Sequence, residues 1–358
     1  MRIVMLSRLY WPHIGGVERH VKEISKVAVS KGHTVDIFTS KHDSELPSFQ
    51  IDEGIRIHRK PSQLHSRLLG RILSKIPRFP TNLREGLVER DEMWGWLIWN
   101  LPIFFRADVI HIHDVFFWYW PLRFLLFWKK TTITFHGFEA GNLPTMKAKK
   151  ARQLAAKFTH GNLCIGSFIE KWYGTTPTMV SYGAADCQGF LNHTPQRESQ
   201  SAVFVGRLEK DTGIGTYLEI AKKNSKIQLD VYGQGPLEPV VTKAGDNVRY
   251  KGTVLNACSV FSHYSYAFVS SYLSILEAMQ SKTFVVAIAS NPLKVDYLSC
   301  HPMAAQMVIL ESADQFDEVL QLSDSVKRKM IESAYQWAIE QTWEKQFADY
   351  QTLWKHNT

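Results

Sequence analysis

The feature that most constrains the fold is a repeated alternation of short, β-branched apolar runs with segments long enough to be helices. Strands that alternate with helices predict right-handed βαβ units and a parallel sheet covered on both faces. In the first half the predicted strands are Arg2–Ser7, Thr34–Thr39, Val109–His113, Thr131–Phe135, Leu163–Ile165 and Thr178–Ser181. After the first strand, apolar residues recur at helical spacing from Val17 to Ala28, and Gly32 is placed to end that helix.

The alternation begins again after a polar break over Asp186–Gln200. Here a helix is predicted over Ile214–Lys223, and a continuous one over Lys327–Trp354. The predicted strands of this half are Ala202–Val205, Gln228–Tyr232, Val248–Tyr250, Ala267–Ser270, Phe284–Ala287 and Met307–Ile309. Two such halves predict an α/β protein of two Rossmann-like, doubly wound domains. A ligand is expected in the cleft between the carboxyl ends of their strands.

The composition sets the class of protein and its expected compartment. A chain of 358 residues suffices for two domains, and 45% hydrophobic with 21% charged residues is typical of a soluble globular protein. The cysteines, Cys164, Cys187, Cys258 and Cys300, are widely spaced. Neither a disulfide framework nor a structural zinc site is therefore expected, and a reducing cytosol fits best. No transmembrane run or signal peptide is recognised, so we expect a cytoplasmic protein.

A glycine-rich loop after the first strand is the first candidate site. The segment from Trp11 to Glu18 contains Gly15-Gly16 and leads into a helix. Two glycines let the backbone approach a ligand closely, and the helix N-terminus favours an anion. Such turns also occur before helices for purely steric reasons, so the loop alone leaves both interpretations open.

The second half offers two further candidates. Arg207 follows a predicted strand, where a guanidinium can bind a diphosphate with two hydrogen bonds; the alternative is a surface ion pair with Glu209 or Asp211. Glu277 lies near the start of the next candidate helix, where a carboxylate can accept hydrogen bonds from a ribose diol or complement the helix dipole.

Taken in order, several motifs resemble one enzyme family. The quoted segments are Gly15-Gly16 with Glu18, Asp108-Val-Ile-His-Ile-His113, Thr134-Phe-His-Gly137, Gly183-Ala-Ala-Asp186, Val205-Gly-Arg-Leu208, Tyr232-Gly-Gln-Gly-Pro236, Lys251-Gly-Thr-Val254 and Leu276-Glu-Ala-Met279. Their order resembles the retaining glycosyltransferases of family 4, the glycosyl transferases group 1, which have the GT-B fold. The resemblance implies an N-terminal acceptor-side domain over residues 1–186 and a nucleotide-sugar-binding domain over 187–340. It also implies a C-terminal helix over 341–358 that crosses back to the first domain.

The resemblance also implies roles for individual residues. His136 would contact the donor sugar near the reacting carbon, and Arg207 would hold the leaving diphosphate. The implied donor-binding residues are Gly15, Gly16, Arg207, Thr212, Gly233, Val254, Leu273, Ser274 and Glu277. On the acceptor side the implied residues are Glu18, His113 and Asp114. The family works without a metal, and the chain has no Asp-x-Asp motif, so no metal and no cofactor are expected.

Two departures from the family pattern affect this site. Thr212 stands where the family usually has a second phosphate-binding lysine, and Lys210 lies two residues earlier. The loop between Tyr272 and Glu277 lacks about four residues, among them a glutamate that normally contacts the donor sugar. Arg207 and backbone dipoles would then carry the neutralisation of the diphosphate.

The net positive charge of the chain lies in its first half. Residues 1–180 carry 26 basic and 15 acidic side chains, against 16 and 19 in the remainder. Leu64–Ile76 is an amphipathic stretch with a basic face, and the aromatic segments Met93–Trp99 and Phe116–Trp120 follow. A basic face beside aromatic residues is typical of peripheral contact with an anionic membrane, although apolar stripes often face a core instead. No nucleic-acid-binding motif accompanies the charge.

A pair of histidines on one strand is a weak candidate for a metal site. His111 and His113 share a strand face, but no third ligand follows at suitable spacing. They are interpreted as strand-end residues near the cleft, together with Asp114.

The sequence thus predicts a retaining, metal-independent glycosyltransferase of polysaccharide biosynthesis. It would move a sugar from a UDP- or GDP-sugar to a cell-envelope polysaccharide or glycolipid. A non-catalytic nucleotide-sugar-binding relative and a sugar-nucleotide epimerase of the same fold are the alternatives.

Overall fold

The chain forms two sheets whose strands are mostly parallel. The structure is a computed structural model, and it describes residues 1–61, 92–137, 143–190 and 200–356. The first sheet has eight strands in the order β3-β4-β2-β1-β5-β6-β7-β8, and all its pairs are parallel except β3 with β4. Its strands are β1 (Arg2–Ser7), β2 (Thr34–Ser40), β3 (Phe49–Asp52), β4 (Ile55–Lys60), β5 (Val109–His113), β6 (Lys130–Phe135), β7 (Asn162–Ile165) and β8 (Met179–Ser181).

Helices connect these strands and cover the sheet. Helix α1 (Gly16–Ser30) ends as the sequence predicts, because Gly32 adopts a φ of 79° just beyond it. The chain is also helical over residues 92–99. The remaining helices of this half are α2 (Leu101–Arg106), α3 (Phe116–Leu125), α4 (Met146–Lys157) and α5 (Phe168–Tyr173).

The second sheet has six parallel strands in the order β11-β10-β9-β12-β13-β14. These strands are β9 (Ser201–Val205), β10 (Gln228–Tyr232), β11 (Val248–Tyr250), β12 (Tyr266–Phe268), β13 (Phe284–Ile288) and β14 (Val308–Leu310). The helices are α6 (Ile214–Lys223), α7 (Glu238–Val241), α8 (Cys258–Phe261), α9 (Tyr272–Gln280), α10 (Pro292–Ser299), α11 (Phe316–Gln321), α12 (Asp324–Ala338) and α13 (Trp343–Lys355).

The predicted strands are all present, within one or two residues at their ends, whereas two other features differ. The antiparallel hairpin of β3 and β4 was missed, because Glu53 and Gly54 make its tight turn between only short strands. The predicted continuous helix over Lys327–Trp354 is wrong, since α12 ends at Ala338 and α13 begins at Trp343 after a Thr342 cap. The predicted amphipathic stretch Leu64–Ile76 lies outside the described residues.

Helix α13 crosses back from the second half onto the first sheet, as predicted. Its side chains Phe347, Tyr350 and Leu353 are completely buried among residues of β1, α1 and β2. The Tyr350 hydroxyl also bonds to Thr134 on β6, at 3.0 Å between oxygens. The last helix therefore ties the second half of the chain to the core of the first.

The cysteine prediction is wrong in one respect. Cys187 and Cys258 form a disulfide, with their Cα atoms 5.2 Å apart, while Cys164 and Cys300 are free. The two partners are 71 residues apart in sequence, so their proximity arises only when the segment after β8 packs against α8. A cytosolic location therefore has no support from cysteine usage.

Within the described part of the chain, every helix is too short or too polar to cross a bilayer.

The packing of α13 leads to a prediction about stability. Phe347→Ala leaves a cavity in the core beneath α13, so the free energy of unfolding should fall by about 3–5 kcal/mol. Urea unfolding followed by tryptophan fluorescence measures the change. Lys345→Ala, at an exposed position of the same helix, should stay within about 0.5 kcal/mol. An equal effect of the two substitutions would contradict the described packing.

Candidate functional site

The candidate site lies where the carboxyl edges of the two sheets face each other. Helix α1 begins at Gly16 beyond the end of β1, and His136 directly follows β6. On the opposite side Arg207 follows β9, and α9 begins beyond β12. Leu273 at the start of α9 packs against the core of the first half, which brings the beginnings of α1 and α9 together.

The structure explains the two glycines of the glycine loop differently. A Cβ at Gly15 would lie 2.1 Å from the Glu18 carboxylate, which folds over the turn and pairs with His13 at 3.2 Å. A Cβ at Gly16 would meet nothing within 4 Å. Packing within the protein therefore explains Gly15 but not Gly16, and the space beside Gly16 is open for a ligand to approach the backbone. The side chain of Glu18, which was predicted to lie on the acceptor side, packs against this turn.

An ion pair joins the two halves across the site. Nη1 of Arg19, on α1, lies 2.5 Å from Oε1 of Glu277, on α9. The Glu277 side chain is only 3% exposed and that of Arg19 25%. Burial raises the pKa of Glu277, and the guanidinium of Arg19 opposes that shift. Glu277 is the sixth residue of its helix rather than near the start, so it does not complement the helix dipole.

Arg207 adopts the surface ion-pair alternative that the sequence left open. Its guanidinium contacts the carboxylates of both Glu209 and Asp211, the latter at 3.0 Å, and its side chain is half exposed. Thr212 turns its hydroxyl back to donate to the Glu209 carbonyl oxygen at 2.7 Å. Thr212 therefore supplies no group in place of the family's lysine.

The other predicted donor-binding residues lie at the same carboxyl edge. Leu273 and Ser274 are in the first turn of α9, and Val254 follows β11. Gly233 follows β10 with a φ of 148°, and a Cβ there would lie 1.8 Å from the Gly206 carbonyl oxygen. Glycine is thus required at 233 for the close approach of two backbone segments.

His136 belongs to a buried cluster of histidines that the sequence did not reveal as a unit. Its Nε2 lies 2.8 Å from Nδ1 of His113, and its ring is 4.7 Å from that of His20. His20 in turn bonds to the Tyr350 hydroxyl of α13 at 2.8 Å. Burial lowers the pKa of His136 to about 3 and holds those of His20 and His113 well below their usual range. All three rings are therefore neutral at pH 7.

The interpretation of His111 as a cleft residue is wrong. It is completely buried, and its ring bonds to Thr132, to Thr134 and to the Trp354 indole beneath α13. Burial lowers its pKa to about 3. The helix that covers it comes from the far end of the sequence, which is why strand position alone misplaced it. Asp114 is exposed at the end of β5, and its carboxylate accepts from the His136 backbone N–H at 3.2 Å.

Lys294 is a buried cation at this edge that sequence reasoning missed. Its ammonium donates to the Ser270 carbonyl oxygen and lies 4.4 Å from the centre of the Tyr297 ring. Burial lowers its pKa to about 8, and the nearby charge of Asp211 opposes that shift. A lysine in the first turn of a helix runs against the helix dipole, and that signal could have pointed to it.

Neither a surface cavity nor the possible metal ligands indicate a second site in the part of the chain that the structure describes. A cavity of about 740 Å³ lined by Lys223, Tyr266 and Phe284 opens at the amino ends of β12 and β13, the edge opposite the cleft. Among the residues that the structure describes, no group of three or more His, Cys, Asp or Glu side chains is arranged to hold a metal ion.

The chain matches a family model and several solved structures. Residues 14–173 match the model of Glycosyltransferase Family 4. Sucrose-phosphate synthase from Thermosynechococcus elongatus is similar over 99% of this chain and 98% of that one, with a TM-score of 0.71 and 16% identity. Anabaena HepE, solved with UDP and glucose, covers 98% and 99% with a TM-score of 0.66 and 11% identity. A search of curated proteins finds no match.

WaaG, a glycosyltransferase involved in lipopolysaccharide biosynthesis, is also similar, with a TM-score of 0.65, 15% identity, and 97% of this chain and 98% of that one covered. The fold and the family match together define a glycosyltransferase of the GT-B fold. The resemblance to family 4 is confirmed, and the family match lies in the first half of the chain.

The buried histidines predict a strong dependence of stability on pH. Their pKa values in the folded protein lie below the unfolded value of about 6.5, so protonation favours the unfolded chain as the pH falls below 6.5. The four rings of His20, His111, His113 and His136 should together lower the free energy of unfolding by about 5 kcal/mol between pH 7 and pH 5.5. Urea unfolding at the two pH values measures this loss.

His136→Asn is the matched variant, because it removes one of the four rings and should reduce the loss by about a quarter. A free energy of unfolding that is the same at both pH values would contradict the neutral, buried state of the cluster.

Proposed function

We propose that this glycosyltransferase moves a sugar from a UDP- or GDP-sugar to a cell-envelope polysaccharide or glycolipid, with retention at the anomeric carbon and without a metal. The observation that carries the proposal is the meeting of two helix beginnings, those of α1 and α9, across one cleft. Both present backbone N–H groups to the same space, and a diphosphate is the anion that fits between them.

Within this proposal Arg207 binds the leaving diphosphate. Its carboxylate partners, Glu209 and Asp211, hold it at the edge of the cleft, and the half-exposed side chain is accessible to a phosphate. A planar guanidinium can donate two parallel hydrogen bonds to phosphate oxygens. Stabilising the negative charge that develops on the leaving group is the largest contribution such a site can make without a metal.

His136 acts as a neutral hydrogen-bonding group toward the donor sugar. The low pKa of its buried ring rules out an imidazolium that would repel positive character at the anomeric carbon. His113 fixes the ring through the bond to Nε2, and the Asp114 carboxylate fixes the backbone. The acceptor hydroxyl attacks from the face that the diphosphate leaves, and a phosphate oxygen takes its proton.

Arg207→Ala should lower the rate of UDP or GDP release from sugar donors by about 100-fold or more, as expected for loss of a group that stabilises the leaving charge. The melting temperature should change little, because a half-exposed ion pair contributes at most about 1 kcal/mol. Arg249→Ala is the control, since Arg249 is also half exposed and pairs with a carboxylate, that of Asp230, but lies within strand β11. Equal rates for the Arg207 variant and the wild type would refute the assigned role.

We further propose that the first half contacts an anionic membrane through a patch that we call the aromatic edge. The segments singled out from the sequence are partly in the core, since Met93, Trp96, Phe116 and Tyr119 are buried. Their exposed aromatic side chain is Trp99, and further exposed aromatic side chains follow each segment. The aromatic edge consists of Trp99, Phe105, Phe124, Phe127 and Trp128, which are 52–85% exposed.

Basic groups surround the aromatic edge. The Lys129 ammonium lies 5.5 Å from the Phe105 ring, Arg106 is exposed beside it, and Arg123 donates to the Phe127 carbonyl oxygen. Aromatic side chains at the headgroup level and basic groups near anionic lipids each favour binding, the latter by about 1 kcal/mol per residue. An anionic bilayer is therefore the partner that fits both properties.

The position of this patch constrains the acceptor. Its segments lead into the amino ends of β5 and β6, so the patch lies at the edge of the sheet opposite His113 and His136. A strand of five residues separates the two edges by about 17 Å. A membrane-linked acceptor that extends away from the lipid as a glycan chain fits this arrangement.

Substituting both Phe127 and Trp128 by serine should weaken binding to phosphatidylglycerol vesicles at least about tenfold, because two large apolar side chains no longer enter the interface. Sedimentation with vesicles measures binding, and added salt should weaken it further. The control substitutes serine for Val240 and Leu255, which are equally exposed on the second half. Wild-type protein that does not sediment with anionic vesicles would contradict the proposal.

A further inference from the structure

The diphosphate site needs a second cation. Position 212, where the family usually has a lysine, does not provide one. Thr212 directs its hydroxyl to the backbone of Glu209, and Lys294 is buried beneath Ser270. Arg207 carries a single positive charge and is shared between two carboxylates. A nucleoside diphosphate carries two or more negative charges, so the balance in the cleft is incomplete with Arg207 alone.

Arg19 is the cation best placed to complete it. It lies in the first turn of α1, three residues after Gly16, where no Cβ obstructs the approach to the backbone. Its guanidinium crosses the cleft and ends on Glu277 of the second half. Arg19 therefore stands between the glycine loop and the carboxylate that the nucleotide ribose would use.

We propose that Arg19 binds the donor diphosphate, and that its ion pair with Glu277 is exchanged when the donor binds. This inference rests on the proposed function and adds a residue from the first half of the chain to its site. The guanidinium moves from the carboxylate to the phosphate oxygens, and Glu277 accepts hydrogen bonds from the two ribose hydroxyls. Each group leaves one partner and gains another, so no charge is left buried alone.

The exchange makes recognition depend on both parts of the nucleotide. A nucleoside that offers only its ribose to Glu277 separates the ion pair and gives Arg19 nothing in return. Breaking a buried ion pair without compensation is strongly unfavourable. A nucleoside diphosphate supplies both replacements at once. The site should therefore prefer UDP over uridine, or GDP over guanosine, by more than the contact with Arg207 alone would give.

Affinities for UDP, uridine, GDP and guanosine, measured by calorimetry on the full chain, test the inference. For the nucleotide that binds, Arg19→Gln should reduce the ratio of diphosphate affinity to nucleoside affinity at least about tenfold, through weaker diphosphate binding. Glu277→Gln should shift both affinities together and leave the ratio near its wild-type value, because the ion pair and the ribose contact are common to both ligands and Arg19 remains for the phosphates. Arg19→Lys keeps a positive charge but loses the second hydrogen bond to phosphate, so it should still reduce the ratio, by about threefold, and it serves if Arg19→Gln fails to fold.

Arg56→Gln is the matched control. Arg56 pairs with Asp36 in the first sheet, and those side chains are 39% and 5% exposed, close to the 25% and 3% of Arg19 and Glu277. It should lower the melting temperature without changing the affinity ratio. If Arg19→Gln changes both affinities by the same factor, Arg19 only connects the two halves and the inference is overturned. If the wild type binds neither UDP nor GDP, the proposed function itself fails, and this inference with it.

Discussion

The arrangement of the whole molecule depends on the burial of α13 against the first sheet. This helix follows the second half in sequence, yet Phe347, Tyr350 and Leu353 complete the core formed by β1, β2 and α1. Burial of three such side chains is worth about 5–9 kcal/mol by the usual transfer values. The two sheets are thereby held with their carboxyl edges facing each other, and every contact across the cleft presupposes that orientation.

The same helix determines the chemistry of the histidine cluster. Tyr350 bonds to His20 and Thr134, and Trp354 bonds to His111, so α13 both covers the rings and provides their polar partners. A histidine beneath such a cover loses its hydration and stays neutral. His136, at the cleft end of the cluster, is neutral for the same reason. The fold thus places an uncharged ring at the cleft, where the proposed function puts the donor sugar, by means of a segment that follows the second half in sequence.

The sequence predicts the two-sheet architecture well because hydrophobic periodicity is local. The strands from Arg2–Ser7 to Val308–Leu310 are short β-branched runs bounded by turns, and such runs have few alternative structures in an α/β chain. The glycine loop and Arg207 were placed at the cleft for the same reason, since residues that follow parallel strands share an edge. These inferences need no knowledge of how distant segments pack.

What the sequence could not predict involves partners that are far apart in the chain. Arg19 and Glu277 are separated by most of the molecule, and so are His111 and Trp354. Cys187 and Cys258 are each unremarkable in sequence, and only packing of the segment after β8 brings them together. The partner that a side chain meets is decided by this long-range packing, and a periodic pattern indicates only the face on which the side chain lies.

The shortened loop before Glu277 can be understood through Lys294. Where the family has a longer loop with a glutamate, this chain turns sharply from β12 into α9, and the carbonyl group of Ser270 points inward to the Lys294 ammonium. The Ser270 hydroxyl bonds to Tyr217 and accepts the Ile288 backbone N–H at 2.8 Å, so the turn is fixed on several sides. A turn held this firmly presents backbone rather than a carboxylate to the cleft. If the chain uses a nucleotide-sugar as proposed, selection of the sugar then depends on the shape of the cleft and on His136, rather than on a glutamate from this loop.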